Sequence, residues 1–443
     1  MEVHPVKYIL ILSFFIFISC GSSRSEKTFL EQVEPVTKAV YEYEDIDKLI
    51  DFLGEGDLVL LGEASHGTKE FYKWRAHISK KLIWEHNFDF IAVESDWPSH
   101  YELNRYVKSL GNGMSMEELF QTFDRWPPWM WRNEVIVELS RWLKEYNTEN
   151  TSSVGFYGMD MQAESKSFNI VKNFLESTDH KLAGKLLEDL LCLEPYFDDV
   201  RSYLRRVSIR GETCSEEIRN LYRQPMNNFV KDLSRDGEEV FNIERNIAVL
   251  KYGERRWRAH IDDALNSWNV RVNYMYETVE ALREKYGENS RGIIWAHNTH
   301  VGDARATSMA KAGRVNIGQL KRESLGESRV RILGFGTGRG TVKAGRSWGD
   351  PGEIMTIPEP VSGSVENKIS QLENEITLLK LYEIDQKAGP LFNSIGHRAM
   401  GVVYRPEREH LGNFVPTVLP KRYDAFLFFQ ETEALKEWKG TNE

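Results

Sequence analysis

The sequence predicts an α/β fold, built on a largely parallel sheet with flanking helices and a helical insertion or subdomain. Three observations carry this expectation. Short, nearly continuous apolar runs recur along the chain, many of them ended by glycine or an acid. Helix-periodic stretches lie between the first few runs. A long charged segment, residues 165–285, is helix-periodic and has no strand-like run. Apolar runs of this length suit strands buried on both faces, and strand–helix alternation implies a parallel sheet.

The expected strands are Leu58 to Leu61, Phe88 to Val93, Val154 to Tyr157, Gly292 to Ala296, Val330 to Phe335, Ala399 to Tyr404 and Ala425 to Phe429. Lys69 to His86 places Phe71, Trp74, Ile78, Leu82 and Ile83 on one helix face, and Glu134 to Tyr146 repeats the pattern. Residues 336–365, rich in Gly and Pro, read as a long loop. The expected division is therefore a core in two parts, 41–164 and 286–435, around a helical subdomain, 165–285.

The N-terminus reads as a leader. Lys7 precedes an apolar run, Tyr8 to Ser19, that is too short to span a bilayer but suits a signal-peptide core. It ends in Phe17-Ile18-Ser19-Cys20-Gly21, which resembles a bacterial lipobox. The expectation is a signal peptide over 1–20, lipidation of Cys20, a tether over 21–40 and a place on the cell envelope, membrane-anchored. An ordinary secretory signal is the alternative. Cys192 and Cys214 remain, free to pair or to stay as thiols. The net charge of −10 argues against a nucleic-acid surface, which needs a basic stripe.

In open α/β sheets ligands sit beyond the carboxyl ends of the strands. There this sequence places Glu63 and His66, then Glu94 and Asp96, then Asp160, then His297 and His300. Four successive strand ends thus deliver acids and histidines to one rim. Histidine is suited to moving a proton near neutral pH, and a carboxylate beside it fixes its tautomer. His66 with Glu63 or Glu94 is a candidate to activate water, and an arginine or second histidine to stabilise the oxyanion. Arg75 lies about two and a half turns beyond His66, either at the site or as a solvated helix residue. The partner expected is a small-molecule substrate.

Rival chemistries use the same residues. His297 and His300 with acids could hold zinc or manganese, but His-x-x-His lies in a loop and the HExxH helix pattern is absent. No cofactor is expected, and a metal is possible but not favoured. Gly345-Arg346-Ser347-Trp348-Gly349 matches G-x-S-x-G without the strand before and helix after that it needs. Ser65 is one residue off that spacing. Gly334, Gly336, Gly338 and Gly340 fit neither a dinucleotide fingerprint nor a P-loop and read as a flexible turn. Trp126, Trp129 and Trp131 crowd eight residues, as core or as the wall of a pocket.

Longer motifs point to a family. Leu60-Leu61-Gly62-Glu63-Ala64-Ser65-His66-Gly67-Thr68 with Phe71 and Trp74-Arg75 resembles the opening motif of the erythromycin esterase family. So do Ala92-Val93-Glu94-Ser95-Asp96-Trp97-Pro98 with Asn104, and the Trp126 to Asn133 stretch. Trp295 to Asp303 resembles its second histidine motif, and Arg398, Tyr404-Arg405-Pro406 and Tyr423-Asp424-Ala425 its closing segment. The resemblance runs over roughly residues 40–435. It implies an α/β core with a helical part, hydrolysis of the macrolactone ester of fourteen-membered macrolides, and a role in macrolide antibiotic resistance. It further implies a histidine general base, His66, site positions at Glu63, Arg75, Glu94, His297 and His300, and no need for a metal. Two departures bear on the substrate. Arg271-Val272-Asn273-Tyr274-Met275 stands where the family tends to Arg-Asp-x-x-Met, and Asn367-Lys368-Ile369 replaces a frequent histidine after Glu366. Substrate contacts are expected from Arg75, Asp96, Trp126, Trp129, Asp160 and Arg271. A hydrolase of another ester, and an envelope lipoprotein that binds without turnover, are the alternatives.

Overall fold

The computed structural model describes residues 28–440 except 112, 152, 231–232, 263 and 386–387. Cys20 and the apolar leader lie outside the described residues. Eleven strands are described: β1 (Thr37–Ala39), β2 (Leu58–Leu61), β3 (Phe90–Asp96), β4 (Gly155–Asp160), β5 (Gly292–Trp295), β6 (Val330–Ala344), β7 (Glu353–Ile357), β8 (Ile376–Leu379), β9 (Ile395–Arg398), β10 (Phe414–Thr417) and β11 (Ala425–Thr432). Nine form one sheet in the order β1-β8-β11-β6-β2-β5-β3-β4, with β7 on β6. The run from β11 to β4 is parallel throughout, and β8, β1 and β7 are antiparallel additions.

The parallel strands are apolar on both faces because both faces are covered. In β2, Val59 and Leu61 join a core with Phe71, Ile78 and Leu82 of the helix Lys69–His86. Leu58 and Leu60 point the other way, into a core with Val270, Met275 and Val279 of the helix Ala264–Tyr286. Side chains alternate across a strand, so a sheet between two helical layers needs apolar residues at every position. The helix Lys69–His86 stops at Asn87, whose left-handed backbone (φ 54°) ends the turn.

Between β4 and β5 the chain is helical. Five helices, from Glu164–Ser177 through Leu233–Asp262, enclose a separate cluster that includes Phe168, Leu190, Tyr203 and Ile247. Cys192 and Cys214 are joined there by a disulfide with Cα atoms 5.8 Å apart, which settles the open question of their pairing. Closing a loop of this size stabilises a chain by about 3 kcal/mol. The Cys192→Ser/Cys214→Ser protein is therefore expected to unfold at lower urea. A midpoint identical to wild type would contradict a formed bond.

Several expectations are corrected. The described part of the supposed tether over 21–40 is folded, as the helix Phe29–Val33 and the edge strand β1. The supposed loop over 336–365 is partly sheet, because β6 continues to Ala344 and turns back as β7. The alternating glycines lie in β6, not in a turn. A Cβ at Gly336 would stand 2.5 Å from the Phe426 ring, and one at Gly338 2.6 Å from the Gln430 carbonyl, so β11 and its aromatics need the missing side chains. Ala399 to Tyr404 is not a strand. Of its residues Met400 and Tyr404 are buried, packed on β6 and β7, and the Met400 amide donates to the Ala64 carbonyl in the His66 turn. The strand lies just before it, at β9.

Candidate active site

The parallel strands end on one edge, and the predicted residues meet there. The turn after β2 is clamped from several sides. The amide of Asn298 donates to the Glu63 carbonyl (2.8 Å), and those of Lys343 and Leu435 donate to the Gly67 carbonyl (3.0 and 2.8 Å). A Cβ on Gly67 would lie 1.9 Å from the Lys343 carbonyl oxygen, so only glycine lets β6 approach this closely. The result is a fixed His66, 8% exposed. Its Nδ1 is 2.8 Å from Glu63 Oε1, and Glu63 Oε2 is 2.7 Å from Arg75 Nη2. His66 lines a cavity of about 400 Å³. Burial opposes charge on the ring, but the Glu63 hydrogen bond and its negative charge outweigh this and raise the His66 pKa.

A second cluster faces His66. Glu94 is spoken for: Oε2 accepts from the His297 amide (2.9 Å), and Oε1 lies 2.8 Å from Arg271 Nη2 and 3.3 Å from His300 Nε2. Burial works against its charge, yet His300 and Arg271 hold its pKa well below the usual range. A carboxylate so engaged is a poor proton acceptor, and the choice of partner for His66 falls to Glu63. Arg271 also donates to both oxygens of Asp160 (3.0 and 2.7 Å), and its Nη1 lies 3.0 Å from His300 Nε2. The Trp268 indole stacks on His300 at 4.6 Å.

His297 stands opposite His66, ring centroids 5.0 Å apart. Burial, then the neighbouring His66, pushes its pKa well down, so the ring is neutral. The Thr299 amide donates to its Nδ1 at 3.3 Å. The proton therefore rests on Nε2, which makes no close hydrogen bond, with the Ala64 carbonyl beside the ring. The site thus holds a paired histidine able to accept a proton and a neutral one able to donate a hydrogen bond. No group of three or more His, Cys, Asp or Glu side chains converges as a metal site among the described residues. The centre of the acid–histidine cluster is taken by Arg271.

The expected substrate contacts divide. Asp96, Asp160 and Arg271 line the cavity, although Asp96 also caps the helix Trp97–Val107 through the Ser99 amide (3.0 Å). Arg75 does not line it: 1% exposed and packed between the Tyr72 and Trp295 rings, it acts on Glu63 from behind. Trp129 is core, 2% exposed, against the helix Lys69–His86 side of the sheet. Trp126 supports the wall rather than forming it. Its Nε1 donates to the Asp350 carbonyl (2.7 Å) and its ring meets Trp348, which does line the cavity. Ser65 is fully buried, its hydroxyl bonded to Thr68, and Ser347 accepts from Arg405 (3.2 Å), so neither is set up as a nucleophile. The sequence reading missed Trp268, Arg125 and Gln162. Trp268 precedes Arg271 by three residues on one helix, a spacing that puts both on one face.

The family model described as erythromycin esterase matches residues 83–432. That span takes in Glu94, Asp160, Arg271, His297 and His300, while Glu63 and His66 precede it. The chain is similar to erythromycin esterase type II of Escherichia coli, 21% identical over 353 residues, covering 74% of this chain and 81% of that one. It is also similar to YbfO of Bacillus subtilis (strain 168), a protein with a provisional hydrolase name, at 22% over 317 residues, 66% of this chain and 68% of that one. Among solved structures, a succinoglycan biosynthesis protein shares the fold with a TM-score of 0.73 at 18% identity, covering 92% of this chain and 97% of that one. An erythromycin esterase mutant in its open conformation aligns with a TM-score of 0.57 at 17% identity, over 94% of this chain and 98% of that one. With the family model spanning most of its length, this chain belongs to the erythromycin esterase family, a membership that supports a hydrolase.

Proposed function

We propose that the protein is a carboxylic ester hydrolase that opens the macrolactone of fourteen-membered macrolides with a water activated by His66. The observation that carries this reading is the buried chain Arg75–Glu63–His66, which ends at the cavity. Arg75 holds Glu63 in place. Glu63 holds the His66 Nδ1 proton, which leaves Nε2 free to take a proton from water as that water attacks the ester carbonyl. The hydroxide oxygen bonds to the carbonyl carbon, and His297 Nε2–H donates to the oxyanion as it forms. Collapse expels the alkoxide, which takes the proton from His66. The product is a ring-opened hydroxy acid, one water heavier than the lactone. Arg271, fixed by Glu94 and Asp160, supplies positive charge on the far wall.

Incubating the protein with a macrolide panel and weighing the products tests the reading. A gain of one water on a fourteen-membered macrolide, absent in His66→Asn, is expected. No gain on any macrolide by a folded protein would move the substrate to another ester, and unchanged turnover in His66→Asn would remove the mechanism.

The pH profile follows from the raised His66 pKa. The base must be neutral, so kcat/KM falls as pH drops through its folded value, which stands above the ordinary ~6.5. Glu63→Gln removes the main influence raising it. The acid limb then moves to lower pH, and a limb that stays in place would show that His66 is not the titrating base.

The envelope placement is part of the proposal. Tyr8 to Cys20 supports lipid attachment, and a disulfide suits an oxidising compartment. Cys20→Ser is expected to shift the protein from the membrane fraction to the soluble one.

A further inference from the structure

A second cavity, of about 270 Å³, lies against the catalytic one on the side of the helical part. The two share two wall residues, Arg125 and Gln162. These side chains are hydrogen-bonded to each other, Arg125 Nη2 to Gln162 Oε1, and so form the partition between the cavities. Gln162 also donates to Asp160 Oδ2 (2.8 Å), which ties the partition to the Arg271 cluster. Both residues are only half-buried. Such side chains move by rotamer change, which is fast beside any movement of the sheet.

The lining beyond them is mixed. Trp257 and Phe197 meet edge to face at 5.7 Å and line it together with Val200. Glu164, Lys166 and the Arg125–Gln162 pair complete the lining. Aromatic rings beside charged and amide side chains suit a ring that is apolar on one face and bears hydroxyls on its edge. The catalytic cavity alone stands near the lower end of the range for drug-sized ligands, and the annex enlarges it by about two thirds.

We propose that this annex is a subsite for a saccharide ring carried by the ester substrate, entered when the Arg125–Gln162 pair parts. The proposal rests on the esterase reading for what occupies the main cavity, but not for the existence of the subsite.

Equilibrium binding to His66→Asn protein, by calorimetry, separates the two. The probes are a glycosylated fourteen-membered macrolide and its sugar-free lactone. Tighter binding of the glycosylated form by about tenfold is expected. Val200→Trp, which fills the annex, should erase that advantage, and Gln162→Ala, which removes the partition, should keep or increase it. A circular dichroism spectrum matching wild type checks that Val200→Trp is folded. Should Val200→Trp misfold, Phe197→Ala replaces it and should weaken only the glycosylated probe. Equal affinity for the two probes, or an advantage that survives filling of the annex, overturns the subsite. If the sugar-dependent binding is found but wild-type protein hydrolyses neither probe, the subsite stands and the esterase reading falls.

Discussion

His66→Asn is expected to lower kcat by on the order of 10²–10⁴-fold, the usual contribution of a positioned general base, with ligand affinity changed little. The size of the effect follows from the division of labour at the site. His66 is the one histidine there with both a carboxylate on Nδ1 and a raised pKa. His297 is driven neutral by burial and by His66, and its Nδ1 is engaged by Thr299. His300 is engaged by Arg271 and lies within reach of Glu94. Asparagine fills similar space and keeps a hydrogen-bonding group near Glu63, so the loss falls on proton transfer and not on the shape of the cavity. Rapid-quench turnover measured beside calorimetric binding checks both halves. A variant that binds weakly but turns over normally would assign His66 to recognition.

Arg75→Met is expected to destabilise the fold by about 3–5 kcal/mol, because it leaves Glu63 as an uncompensated buried charge. Both partners are almost wholly inaccessible, at 1% and 2% of their side-chain surface, so solvent offers little screening. Arg75 also loses its place between Tyr72 and Trp295. Methionine keeps much of that packing, so most of the loss comes from the stranded carboxylate. The double variant Glu63→Gln/Arg75→Met is then more stable than Arg75→Met alone. Urea unfolding of the four proteins in this cycle reads the coupling. Additive losses would mean that the pair does not act as a unit.

Much of this site was legible in the sequence. The apolar runs that became β2, β3, β4 and β5 were bounded well enough to place Glu63, Glu94, Asp160 and His297 on one rim, because strands buried on both faces tolerate few polar residues. What failed did so where burial has another cause. Met400 and Tyr404 are apolar for packing on β6 and β7, not for pairing in a sheet. The glycines of β6 weaken its hydrophobic signal, although they are what lets Phe426 lie across it. Arg75 sits in a helix with many charges, and sequence pattern cannot distinguish the one that is buried from those that are solvated. Its partner Glu63 comes from the turn before the helix, and composition alone does not reveal it. Arg125 and Gln162 lie in separate loops, and only the tertiary fold brings them together.

Attack by water with no acyl-enzyme is tested by single-turnover mass spectrometry of protein and product together. With a fourteen-membered macrolide, product heavier by one water and protein of unchanged mass at every quench time are expected, with no product from His66→Asn. A protein adduct of substrate mass, on Ser65, Ser347 or any other side chain, would contradict it, as would wild-type turnover by the His66→Asn protein.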